Sequence, residues 1–334
     1  MTTIKDVSEH AGVSQATVSR VVNGSCRVSH DKKLLVEKAI KALGYRPNSI
    51  AKALASSRTG SIGVVVPELS AFYSRMLQAI EDQLRRLGYH LVVTSGSNDE
   101  QGQLEAIDFL LSRRVDAVIL HTQHVSDDYL INLDNEGINL VLMNRFIPEL
   151  ATSCIELDNE LGANIATKYL IDMGHTEIAC ITGPLSKSDA RGRLQGYRDA
   201  LENAGLEYCE SRVVEAGFTE ETGASAMYKL LNRDCRFSAV FAANDHMAFG
   251  AFEEMKKANL LVPQDVSLVG FDNILFARYL TPGLTTIDFP IERMSTEAVQ
   301  LILQKLIKKK TKVDFKLSPA LVIRDSVKKL ATHL

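Results

Sequence analysis

The chain has 334 residues, 46% of them hydrophobic and 24% charged, with a net charge of −3 and five cysteines. That balance is ordinary for a globular protein of two or three domains and excludes a largely disordered chain. No apolar run approaches the ~20 residues that a membrane-spanning helix needs, and no apolar leader follows Met1, so a cytoplasmic location without membrane contact is expected.

Charge is unevenly spread. Residues 1–60 hold ten Lys/Arg against four Asp/Glu, a balance of +6, so the rest of the chain carries −9. A basic first sixth on an acidic body suits a small region that touches a polyanion and a body that stays off it. Cys26, Cys154, Cys180, Cys209 and Cys235 are scattered, odd in number and form no C-x-x-C pair. They read as reduced, mostly structural thiols rather than a disulfide or zinc framework.

In chain order, Thr3 followed by Asp6 is a capping-box-like start, and Ile4, Val7 and Ala11 fall on one helical face. Gly12 supplies a turn, and Ser14 caps a second helix with Val18, Val21 and Val22 facing inward. Gln15, Ala16, Thr17, Ser19, Arg20 and Asn23 are left outside, a short, hydrogen-bonding, acid-free face suited to a DNA major groove. Arg27 in the following loop is placed for phosphate. Ser29 begins a third helix in which Leu34, Leu35, Ala39, Ile40 and Leu43 are expected to close the core, and Gly44 stops it. Asn48 then caps a short alanine-rich helix, Ser49 to Ala55, too short to be helical alone in water.

From Ser61 the pattern becomes strand-helix alternation. Strands are expected at Ile62–Val66, Leu91–Thr94, Ala117–Leu120 and Leu140–Met143, and again at Ile178–Thr182, Val213–Glu215, Ala239–Ala242 and Ser267–Gly270. Short apolar strands separated by amphipathic helices imply parallel, doubly wound sheets, here in two lobes. A last helix, about Ile291 to Ile307, and one strand, Lys316 to Val322, would return the chain through both.

Ile4-Lys5-Asp6-Val7, Ala11-Gly12-Val13-Ser14, Ala16-Thr17-Val18-Ser19-Arg20-Val21-Val22-Asn23 and Gly44-Tyr45-Arg46-Pro47-Asn48 closely resemble the N-terminal signature of the lactose/galactose repressor family. The resemblance implies an α/β chain: a three-helix helix-turn-helix head (1–46), a hinge helix and linker (47–60), and an effector-binding and dimerisation body (61–334). The body would have type I periplasmic-binding-protein-like architecture, with lobe 1 at about 61–157 and 288–316 and lobe 2 at about 158–287 and 317–330. It further implies that the hinge helix folds on operator DNA with Leu54 wedged into the minor groove. Thr3 and Lys5 in the head, and Asn48 and Ala51 beside Leu54, complete the residues expected to touch DNA.

Ligands of open α/β sheets bind outside the carboxyl ends of the strands, so facing lobes would place a site between them. Carboxylate, guanidinium, carboxamide and aromatic groups stand at those ends, the set that a hydroxylated ring requires. By resemblance the effector contacts fall on Ser70, Phe72, Tyr73, Arg145, Arg193, Asn244 and Asp272. The alternative roles are structural: Asp272 or Asp245 as a helix cap, Arg193 in an interlobe ion pair. His121 and His124 form an H-x-x-H pair without a carboxylate at metal spacing and read as a chance pair, so no metal or cofactor is expected.

The expected function is a DNA-binding transcriptional regulator, a repressor of carbohydrate-metabolism genes. It would bind a palindromic operator as a homodimer, because one head reads only a half-site, and answer to a small sugar. Ser188-Asp189-Ala190 with Arg193-Leu194-Gln195-Gly196-Tyr197, and Asn144-Arg145-Phe146-Ile147-Pro148, resemble the galactose-type members. The shorter Ser70-Ala71, where those members carry Asp-Pro, departs from them. The alternatives are the same regulator with a purine or other non-sugar corepressor, and a sugar-binding protein without a DNA role. A nucleophile-base pair or cofactor loop, which an enzyme would need, is not assembled in the sequence. The short tail after Val327 lacks leucine heptads, so dimers rather than coiled-coil tetramers are expected.

Overall fold

Thr3 opens the first helix as its sequence requires. Its hydroxyl accepts the Asp6 amide at 3.3 Å while the Asp6 carboxylate accepts the Thr3 amide at 2.7 Å, closing a capping box on Ile4–Ala11. Gly12 ends that helix at φ 65°, a left-handed turn that a residue without Cβ makes without strain. Ser14 then caps Gln15–Val22, its hydroxyl accepting the Thr17 amide at 3.2 Å. With His30–Leu43 these helices bury Val7, Ala11, Val18, Val36 and Ala39 in one small core. The structure, a computed structural model, describes residues 2–22, 28–45, 58–97, 99–307, 313 and 315–330. The expected hinge helix, and with it Asn48, Ala51 and Leu54, lies outside the described residues, as do Asn23 and Arg27.

Leu34 and Leu35 correct the core expected from sequence. They are 43% and 49% exposed, while Val36 is fully buried. At about 100° per residue, Ala39, Ile40 and Leu43 share a stripe with Val36, whereas Leu34 and Leu35 lie about 160° and 100° away from it.

The chain divides into two compact units, Met1–Gly60 and Ser61–Leu334. The second is built on two six-stranded sheets. The first has the order β11-β5-β4-β3-β1-β2, with β1 Ser61–Val66, β2 His90–Ser95, β3 Ala117–Leu120, β4 Leu140–Met143, β5 Cys154–Leu157 and β11 Lys316–Leu317. The second has the order β12-β10-β9-β8-β6-β7, with β6 Ile178–Thr182, β7 Val213–Glu215, β8 Ala239–Ala242, β9 Ser267–Asp272, β10 Thr285–Asp288 and β12 Ala320–Val322. All pairings are parallel except β10 with β12.

Strand alternation sorts the apolar residues between layers. Ile62, Val64 and Val66, with Ala117, Ile119, Val141 and Met143, enter one core, while Val65, Val118, Leu120, Leu140 and Leu142 enter another on the opposite face. The second sheet does the same, with Cys180 and Phe241 on one face and Ile181 and Val240 on the other. Strands buried on both faces are apolar throughout, and only parallel sheets covered by helices on both sides satisfy such a pattern.

The chain crosses between the sheets after β5, after β10 and between β11 and β12. The expected single strand Lys316–Val322 is therefore two short strands, one in each sheet, with Ser318 and Pro319 between them. Strands β5 and β10 carried no expectation. Each has four residues but, unlike the equally short β3, β4 and β8, no unbroken apolar run, since β5 is interrupted by Glu156 and β10 holds Thr285, Thr286 and Asp288.

Candidate functional site

In the head, the helix Gln15–Val22 is anchored by fully buried Val18, with Val21 and Val22 half-buried against the same core. Gln15, Ala16 and Arg20 are exposed, and Thr17 and Ser19 half-buried. Thr17 also shares a 2.9 Å hydrogen bond with Ser14, which fixes its hydroxyl at the helix start. Thr3 and Lys5 are exposed on the first helix, Lys5 beside Glu9 at 3.9 Å. The structure thus presents a polar face carrying one arginine and no acid on its own helix. Such a face can hydrogen-bond base edges and phosphates.

In the body, a cavity of about 330 Å³ opens between the carboxyl ends of the two sheets. Six of the seven expected effector contacts line it: Ser70, Phe72, Tyr73, Arg193, Asn244 and Asp272. Phe72 and Tyr73 lie in the first turn of Ala71–Arg86 and pack edge-on at 5.1 Å, with Phe289 edge-on to Phe72 at 5.2 Å. They make an aromatic wall. Ser70 precedes that helix, its carbonyl accepting the Ser74 amide at 2.9 Å.

Opposite stands Arg193, only 3% exposed, on the helix Ser188–Asn203. Its guanidinium lies 3.7 Å above the Phe271 ring centre and donates to Asn159 Oδ1 at 2.9 Å, to the Ala243 carbonyl, and to Asp272 Oδ1 at 3.3 Å. Asp272 ends β9 at φ 105°, a left-handed backbone that is costly for a non-glycine residue and turns its carboxylate toward the arginine. Burial pushes the Asp272 carboxyl up to about 6, and the Arg193 charge pulls against that rise. The pair joins a helix and a strand end of the same lobe and is not an interlobe bridge. A carboxylate with spare acceptor capacity beside a fixed guanidinium is arranged to hold neighbouring hydroxyls.

Asn244 caps Asp245–Lys257, accepting the Met247 amide at 2.8 Å, and its amide donates to the Phe218 carbonyl at 3.0 Å. It thereby positions Phe218 in the cavity wall. Asp245 does not cap; fully buried, it accepts from the Ile274 amide and the Thr286 hydroxyl, and burial raises its carboxyl well above the usual range.

Arg145 is not among the lining residues. Its guanidinium donates to the Thr122 carbonyl at 3.3 Å and the Val125 carbonyl at 2.7 Å and pairs with Asp127. It staples the loop after β3, and that loop instead supplies His121, Gln123 and His124 to the cavity. The histidine pair read as chance is thus a wall of the site. Burial lowers His121 to about 4, so its imidazole is neutral, and its Nδ1 lies 3.4 Å from the Tyr73 hydroxyl. The signal was present, since His121 follows β3 as Asp272 ends β9. Glu68, Asn144, Lys187, Asp189 and His246 also line the cavity, and Asn144 donates to Asp189 at 3.3 Å from one lobe to the other. Among the described residues, no group of His, Cys, Asp and Glu is arranged to hold a metal ion.

Comparison with known proteins covers both units of the chain. Residues 59–326 match the family model described as periplasmic binding proteins and sugar binding domain of the LacI family, and residues 3–48 match bacterial regulatory proteins of the lacI family. The chain is similar to the HTH-type transcriptional regulator GalR of Escherichia coli K12, 41% identical over 91% of this chain and 89% of that one. It is 37% identical to the ribose operon repressor of the same organism, over 92% of this chain and 93% of that one. Among solved structures it resembles the Lac repressor dimer bound to operator and the anti-inducer ONPF, with a TM-score of 0.87, 29% identity and coverage of 98% and 99%. A CelR–cellobiose complex matches with a TM-score of 0.74, 34% identity and coverage of 98% and 100%. With a helix-turn-helix head and a two-sheet, ligand-sized cleft in one chain, the protein belongs to the LacI family of bacterial transcriptional regulators.

Proposed function

We propose that this regulator represses carbohydrate-metabolism genes, binding a palindromic operator as a homodimer and releasing or tightening on it when a small, galactose-like sugar enters the interlobe cleft. The observation that carries the reading is the Arg193–Asp272 pair facing the Phe72/Tyr73 wall, with one charged edge for vicinal hydroxyls and one aromatic face for C–H groups. A cavity of about 330 Å³ is at the lower end of small-molecule sites, which run from ~300 to ~1,000 Å³, and favours a monosaccharide over a longer sugar. The ribose operon repressor among the relatives, and the CelR–cellobiose complex among the solved structures, support the sugar class.

Gln15, Ala16, Thr17, Ser19 and Arg20, with Thr3 and Lys5, are the described residues assigned to DNA; Ser70, Phe72, Tyr73, Arg193, Asn244 and Asp272 are assigned to the effector. Arg145 serves the effector indirectly, by holding the His121–His124 loop.

The test is selection of random DNA by the full-length protein, followed by thermal-shift screening against monosaccharides, disaccharides and purines. A two-fold symmetric consensus and a shift with D-galactose or a related hexose are expected. An asymmetric consensus would defeat the homodimer reading, and a shift confined to purines would defeat the sugar.

A further inference from the structure

Four cysteines fall among the described residues, and they divide sharply. Cys154 and Cys180 are buried in the cores, where desolvation raises both thiols. Cys209 and Cys235 are half-exposed, 26 positions apart in sequence, and they meet at one residue. The Cys209 sulfur lies 3.0 Å from the Ser211 hydroxyl, and the Cys235 thiol donates to the Ser211 carbonyl at 3.5 Å. The two segments are also stitched by arginines. Arg233 donates to the Ser211 and Val213 carbonyls, both at 2.9 Å, and Arg212 donates to the Arg236 carbonyl at 2.8 Å.

We propose that Cys209 and Cys235 are a peroxide-sensitive dithiol site, in which Cys209 is the attacking sulfur and Cys235 the resolving one. The Ser211 hydroxyl and amide, with the Arg212 charge, hold the Cys209 thiol below its usual range, and the surrounding surface leaves it open to solvent. Cys235 stands on the other side of the same serine, half-exposed, its thiol held between the Ser211 carbonyl and the Leu230 carbonyl at 3.9 Å, weak contacts that it gives up to reach Cys209.

The chemistry balances with a hydroperoxide as oxidant. The Cys209 thiolate attacks one peroxide oxygen, the O–O bond breaks, and the departing oxyanion takes a proton, leaving a sulfenic acid on Cys209. The Cys235 sulfur then attacks that sulfenic sulfur; an S–S bond forms, the S–O bond breaks, and water leaves with the thiol proton. Two electrons pass from the thiol pair to the peroxide. The product ties the entry of β7 to the loop that follows the helix Glu220–Leu231. Because β7 runs on to Gly217, Phe218 and Thr219 in the cavity wall, the link restrains one side of the effector site.

The test uses the full-length, reduced protein with Cys26→Ser, treated with hydrogen peroxide near stoichiometry, followed by thiol counting and peptide mapping without reduction. Two thiols are expected to disappear together, with a dithiothreitol-reversible Cys209–Cys235 peptide within one chain. With Cys235→Ser added, dimedone should label Cys209. With Cys209→Ser added, Cys235 should react about tenfold more slowly than Cys209 does in the partner variant. Separate loss of the two thiols, equal reactivity in the two variants, or only interchain cross-links would overturn the proposal. None of these readings depends on the effector, so the proposal stands or falls apart from the assignment of the cleft.

Discussion

Asp272 is where one side chain carries the most weight. Hydrogen bonds from effector hydroxyls favour its ionised form, so affinity for D-galactose should rise as pH increases through about 6 and then level off. Asp272→Asn should weaken binding by about 10–100-fold, the size of one or two charge-assisted hydrogen bonds, and abolish that pH dependence while operator affinity is kept. Titration calorimetry between pH 5 and 7.5 checks both. His121 makes the opposite kind of contribution, to folding. Its folded value of about 4 lies below the ordinary histidine value of 6.5, so the unfolded chain takes up a proton first as pH falls. The stability it contributes is complete above about 6.5 and is lost on the way down to 4, amounting to about 2 kcal/mol by pH 5. Urea midpoints of His121→Gln should therefore fall less steeply from pH 7 to 5 than those of the native chain; parallel curves would mean that folding does not lower the His121 pKa. In the head, Arg20→Ala should weaken operator binding and reduce the salt slope by about 1 if Arg20 meets a phosphate. Unchanged binding in a titration across salt would remove Arg20 from the interface.

At the scale of elements, the second sheet's helices are packed unusually close. A Cβ on Gly196 would lie 2.0 Å from the Glu160 carbonyl oxygen, so Ser188–Asn203 touches Asn159–Asp172 backbone to backbone. Gly250 does the same on Asp245–Lys257, with the Glu220 carbonyl oxygen at 1.9 Å. Either glycine replaced by alanine must push two helices apart, because the obstacle is main chain and not a movable side chain. A loss of about 1–3 kcal/mol is expected for each in urea unfolding. Gly196→Ala should also weaken effector binding, since its helix carries Arg193; Gly250→Ala displaces the helix capped by Asn244. Retained stability in both variants would mean that the helices have room the structure does not show.

For the whole molecule, the proposed function makes one chain a two-input device. If the effector lowers operator affinity by some factor, operator must lower effector affinity by the same factor. Titrating D-galactose into the protein with and without its selected operator measures both sides of that cycle, and equal sugar affinity in the two titrations would exclude allosteric coupling of either sign. Removing residues 1–60 should abolish DNA binding and leave sugar binding intact, because residues 61–334 contain their own cores. Sedimentation should give a dimer; a monomer or a stable tetramer would contradict the proposed homodimer.

Much of this architecture was legible from pattern alone. The capping residue Thr3, the turn at Gly12 and the inward Val18 follow from side-chain chemistry acting within a few residues, and they stand as the sequence implies. Strands such as Ala117–Leu120 and Leu140–Met143 were legible because burial on both faces demands an unbroken apolar run. What the sequence could not decide is what meets what across long separations. Arg145 and His121 both stand at strand ends, yet Arg145 turns away to hold a loop and His121 turns into the cavity, because the loop after β3 lies within the arginine's reach. Lys316–Val322 reads as one strand until the two sheets divide it. Cys209 and Cys235 are two scattered thiols until the fold brings both onto Ser211. Local chemistry sets period, caps and faces within about one turn or one strand; only the order of strands and the packing of helices decides which distant side chains share a site.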